Sequence, residues 1–79
     1  MEALIHYIVS KLVMDRESVE VIETRDGDEV HIQVYLNPDD MGRVIGRQGK
    51  IARSIRSIAK AVGTKEQVMV SVDFDAKEG

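Results

Sequence analysis

Apolar residues recur along this chain with two different periods, and the switches between them mark out its elements. Leu4, Ile5, Ile8, Val9, Leu12 and Val13 fall at i, i+1, i+4, i+5, i+8 and i+9. That is the broad stripe of an amphipathic helix, predicted from about Glu2 to Met14. Asp15-Arg16-Glu17-Ser18 breaks the period. Val19 to Thr24 then alternates roughly as a strand, and Val30, Ile32, Val34 and Leu36 alternate strictly with His31, Gln33 and Tyr35. A period of two sends successive side chains to opposite faces, so the second strand has one buried face and one more polar face. Between the strands, Arg25-Asp26-Gly27-Asp28-Glu29 carries an Asp-Gly turn signal, which predicts an antiparallel hairpin.

A helix start follows at Asn37-Pro38-Asp39-Asp40. Asparagine suits the N-cap, proline the first helical position, and two aspartates complement the positive end of the helix dipole. This helix must be short, because Gly46 arrives within two turns; its apolar residues are Met41, Val44 and Ile45. A third helix is predicted after Gly49. At about 100° per residue, Ile51, Ala52, Ile55, Ile58, Ala59 and Val62 share one arc, while Lys50, Arg53, Arg56, Ser57 and Lys60 share the opposite one. Gly63 is expected to end it as a C′ glycine. Gln67 to Phe74 reads as the last strand, with Val68, Val70 and Val72 on one face, and residues 75–79 as a short polar tail. The order α-β-β-α-α-β predicts an α+β domain spanning residues 1–74, with a three-stranded sheet covered on one face by three helices.

Composition narrows the class. At 79 residues with 43% hydrophobic and 32% charged, the chain has room for one core and is too apolar for disorder. It has no cysteine, so a disulfide framework and a thiolate metal site are excluded. No signal peptide or membrane span is evident, and a cytoplasmic protein is expected. The net charge of −3 hides a division. Residues 41–64 hold six basic residues (Arg43, Arg47, Lys50, Arg53, Arg56, Lys60) and no acidic one; all 14 Asp and Glu lie elsewhere. Ordinary surface helices mix signs to gain i,i+4 pairs, so an acid-free stretch favours one electropositive face and a polyanionic partner.

At the centre of that stretch stands Gly46-Arg47-Gln48-Gly49-Lys50. Glycines let a backbone turn tightly and let another backbone approach, and flanking cations suit a phosphate chain. A mononucleotide P-loop is excluded, because Val44 stands where its first glycine belongs and Ile51 where Ser or Thr would hold magnesium. The dinucleotide fingerprint also needs glycine at Val44, preceded by a strand.

The run Val44-Ile45-Gly46-Arg47-Gln48-Gly49-Lys50 resembles the V-I-G-x-x-G-[KR] signature of KH domains, RNA-binding modules whose G-x-x-G loop clamps the backbone of four nucleotides. The element order resembles the type II KH fold, and the stretch Ile45 to Arg56 is similar to that of the small bacterial stand-alone KH proteins of the KhpA type. The resemblance covers nearly the whole chain. It implies an adaptor that grips single-stranded RNA through Val44, Ile45, Gly46, Arg47, Gln48, Gly49, Lys50 and Arg53, with Arg43, Arg56 and Lys60 as a peripheral basic face. It also implies pairing with itself or with a larger KH-containing protein. Many KH domains place a larger aliphatic residue at the position of Ala52, so the base groove here is expected to be shaped differently.

Little else looks chemical. His6 and His31 stand apart, Asp26-Gly27-Asp28-Glu29 is too short for a calcium loop, and Asp39-Asp40 reads as helix-start electrostatics. No nucleophile–base set can be assembled, so no catalytic residue, metal or cofactor is expected. The rival reading, from another class, is a protein-interaction or dimerisation module in which the glycine loop is a contact surface. The acid-free basic face argues against it, since the core of a protein interface is depleted in charge.

Overall fold

The computed structural model describes residues 1–78; Gly79, the end of the expected tail, lies outside the described residues. Six main elements follow the chain: α1 (Glu2–Ser10), β1 (Glu20–Asp26), β2 (Glu29–Leu36), α2 (Met41–Ile45), α3 (Lys50–Lys65) and β3 (Met69–Ala76). Short 3₁₀ turns at Arg16–Ser18, Pro38–Asp40 and Arg47–Gly49 join them. This is the α-β-β-α-α-β order read from the pattern, and the architecture is that of the type II KH fold.

The strands lie in the order β1-β2-β3. β1 and β2 are antiparallel, with Asp26 opposite Glu29. Their two-residue loop is therefore Gly27-Asp28, one position later than the Asp-Gly pair that signalled it. Gly27 takes φ +62°, as the first central residue of a II′ turn requires. β2 and β3 are parallel, with Val30 opposite Val70, Ile32 opposite Val72 and Val34 opposite Phe74. A parallel pair needs a long crossover, and α2 and α3 supply it. The paired residues all point into one buried layer with Ile5, Val9, Val44, Ala52, Ile55 and Ala59 from the helices. The sheet's other face, with Thr24, His31 and Ser71 side by side in the ladder, is left to solvent.

Four local expectations are corrected. α1 stops at Ser10 rather than Met14, closing through Leu12 N–H to Val9 O at 2.9 Å. Val13 stays in the core although it has left the helix, which is why the periodicity runs on past the end. Gly63 does not terminate α3, which continues to Lys65. A Cβ at Gly63 would lie 2.5 Å from Val70 Cγ2 and 2.9 Å from the Val68 carbonyl oxygen, so this glycine lets α3 press onto β3. The left-handed reversal falls instead at Gln67, φ +63°. Ile58, placed on the apolar arc, is 43% exposed; the buried stripe is Ala52, Ile55, Ala59 and Gly63, at spacings of three and four. Finally, β3 begins at Met69 and runs past Phe74, so that Asp75 and Ala76 are ladder residues opposite Tyr35 and Leu36.

Candidate nucleic-acid interface

The loop's foundation is laid at Asn37. Its Oδ1 accepts the Asp39 N–H at 2.9 Å, and Pro38 follows at the first helical position, as the capping pattern predicts. Asp40 is a different matter. It is only 2% exposed, and its Oδ1 and Oδ2 accept the backbone N–H groups of Met14 and Asp15, each at 3.0 Å. Arg43 Nη1 lies 3.1 Å from the same carboxylate. The Asp15 carboxylate in turn accepts from the Ser18 hydroxyl and from Asn37 Nδ2 at 3.1 Å. The α1–β1 connection and the start of α2 are thus clasped together reciprocally. The two backbone N–H donors hold the Asp40 carboxyl below the ordinary 3.8, and the Ser18 hydroxyl, then Asn37, do the same for Asp15. Sequence reasoning missed this role, because nothing distinguishes Asp40 from its neighbour Asp39 until the fold brings residues 14 and 15 against it.

α2 is five residues long. Val44 is fully buried and supports the loop from beneath, whereas Ile45 is half-buried at its flank. Gly46 then takes φ +71°, ψ −176°, a region open essentially to glycine alone. A Cβ there would also lie 2.7 Å from Ile51 Cγ1. Gln48 (φ +56°) and Gly49 (φ +72°) are left-handed as well. Three positive-φ residues in four reverse the chain so sharply that Arg47 and Gln48 stand exposed at its tip. Gln48 is the surprise; no sequence signal marks it, since asparagine or glycine is the usual occupant of such a conformation.

α3 starts immediately, with no side-chain cap and no acidic residue in its first turn. The first-turn N–H groups of a helix have no intrahelical partner, and the dipole adds partial positive charge there, so an uncapped start is an anion site. The six cations of the region divide into two kinds. Arg47, Lys50, Arg53 and Lys60 are exposed and form no ion pair among the described residues. Arg43 is held by Asp40 and by the Asp39 carbonyl at 3.1 Å. Arg56 is half-buried, its Nε donating to Val72 O at 2.9 Å. Ala52 is 2% exposed and packs into the core, so the residue whose size was expected to shape a base groove does not line the surface.

Among the described residues no group of three or more His, Cys, Asp or Glu could hold a metal ion, and no helix is long and apolar enough to cross a membrane. A hollow on the open face of the sheet, lined in part by Thr24, His31, Met69 and Ser71, shares no residue with the loop. The loop presents an exposed, cationic surface, suited to a phosphate backbone laid over it.

Residues 2–74 match the family described as "KhpA/KhpB, KH domain". RNA-binding protein KhpA of Halalkalibacterium halodurans is 41% identical over 94% of this chain and 97% of its own length. The proteins of the same name from Caldanaerobacter subterraneus and Clostridium perfringens are 40% and 38% identical, each over 94% of this chain and 99% of their own. The chain is therefore a member of the KhpA/KhpB KH-domain family, which is non-enzymatic.

Proposed function

We propose that this protein binds single-stranded RNA, gripping the backbone of about four nucleotides on the loop from Gly46 to Lys50. The observation that carries the reading is the uncapped start of α3 beside four exposed cations without ion-pair partners. Gly46 and Gly49 bring the loop backbone close to the phosphates, and Arg47 and Lys50 neutralise them. Arg53 and Lys60 extend the track along α3, and Ile45 gives unpaired bases an apolar flank. The names of the bacterial relatives, which are RNA-binding proteins, support the same ligand class.

One such groove holds few nucleotides, so affinity gains from a second groove held nearby. We accordingly propose a bacterial cytoplasmic adaptor that pairs with itself or with a larger KH-containing protein.

Replacing Arg47 and Gln48 with aspartates tests the clamp. Both side chains are exposed, so the variant is expected to fold, to sediment as wild type does, and to lose binding to short single-stranded RNA. Unchanged binding with an unchanged salt dependence refutes the clamp. Loss of self-association in this variant, with RNA binding retained, establishes the loop as a protein contact instead.

A further inference from the structure

Arg56 is the one cation of the basic stretch that the fold holds still at the strand edge. It lies seven residues beyond Gly49, two turns along α3, and so falls on the same line of the helix as the loop. Arg53 and Lys60, three before it and four after it, flank it on that line. Its Nε donates to Val72 O at 2.9 Å, and its guanidinium carbon sits 5.5 Å from the centre of the Phe74 ring. β3, which carries both partners, is an edge strand bonded to β2 alone. The Nη groups have no protein acceptor among the described hydrogen bonds, and the residue is only half-buried.

A phosphate contact needs no such anchoring; a mobile lysine supplies it. A guanidinium whose Nε is tied and whose body rests on an aromatic ring presents its Nη fork in a fixed direction, and a rigid fork recognises a matching pair of acceptors. Resting on the proposal that RNA runs along this track, we infer that Arg56 is a specificity-determining residue, reading one unpaired base through two adjacent acceptors. Guanine offers N7 and O6, and cytosine offers O2 and N3. Adenine sets an amino donor beside N7, and uracil separates its carbonyls with an N–H, so neither matches the fork. The site therefore takes guanine or cytosine and disfavours adenine and uracil.

The test uses U-rich single-stranded oligonucleotides differing at one central position, titrated into the wild-type protein and Arg56→Lys. For the wild type, G or C at that position is expected to bind about tenfold more tightly than A or U; comparing G with C identifies which base is read. Arg56→Lys, which keeps the charge and loses the fork, is expected to bind all four with similar affinity and an unchanged salt slope. Equal binding of all four by the wild type overturns the inference, and this arm needs no folded variant. Discrimination surviving in Arg56→Lys overturns it as well. Failure of the clamp reads out separately, as unaltered RNA binding in the variant carrying aspartates at 47 and 48; a wild type that binds no RNA sinks both proposals.

Discussion

Gly46 and Gly49 look equivalent in the sequence, yet the structure gives them different work. At Gly46 two constraints coincide: a backbone conformation that side chains avoid, and Ile51 Cγ1 only 2.7 Å from where a Cβ would stand. At Gly49 the conformation is ordinary left-handed (φ +72°, ψ +16°), and a Cβ would meet nothing within 4 Å. Gly46→Ala is therefore expected to destabilise the fold by about 3 kcal/mol, combining strain with a clash. Gly49→Ala should cost only the left-handed penalty of about 1–2 kcal/mol. The space beside Gly49 is open in the protein, so under the proposed clamp its missing Cβ leaves room for the RNA backbone. Urea denaturation combined with RNA titration separates the two: Gly49→Ala should lose more binding than its modest loss of stability explains. Equal stability losses for both variants would remove this distinction.

Among the elements, legibility tracked how many constraints bore on each residue. The strict alternation from Val30 to Leu36 fixed β2 and its buried face, because a one-residue slip would turn every apolar side chain outward. The end of α1 was not legible. Val13 is buried beyond the helix, its neighbours' N–H groups being taken by Asp40 from a distant segment. Gly63 was misread because a C′ glycine and a close-packing glycine are the same letter; only the position of β3 decides between them. Gly63→Ala should consequently destabilise by about 1–3 kcal/mol by overpacking, although alanine is the better helix former by about 1 kcal/mol. A gain in stability on chemical denaturation would refute the packing role. The Asp40 clasp makes a pH prediction at this same scale. Its folded-state pKa is lowered from 3.8, so its stabilisation is complete above that value and disappears as pH falls through the folded value. Asp40→Asn places an amide NH₂ where one of two backbone donors needs an acceptor. Its melting temperature should lie below wild type near neutral pH, with the gap closing as pH drops below 3.8. A gap independent of pH would show that the charge plays no part.

Across the whole molecule, charge is segregated: every Asp and Glu lies outside residues 41–64, and the loop opens onto a surface where Arg47, Lys50, Arg53 and Lys60 stand without ion-pair partners among the described residues. The glycine motif and the charge division were both visible in the sequence. The partition of the six cations was not, because Val72 meets Arg56 only across the fold, and the carboxylate three residues before Arg43 is fixed by distant Met14 and Asp15. That partition has a measurable consequence. Each phosphate neutralised on a single strand contributes about −0.7 to the slope of log K against log salt, so four free cations predict a slope of about −3. Lys60→Ala should reduce its magnitude by about 0.7 with little change in stability. Arg43→Ala should leave the slope nearly unchanged and lower the melting temperature instead, since it strips Asp40 of its cation. Were the two substitutions to shift the slope equally, Arg43 would be a phosphate ligand despite its ion pair, and the division into structural and binding cations would fail.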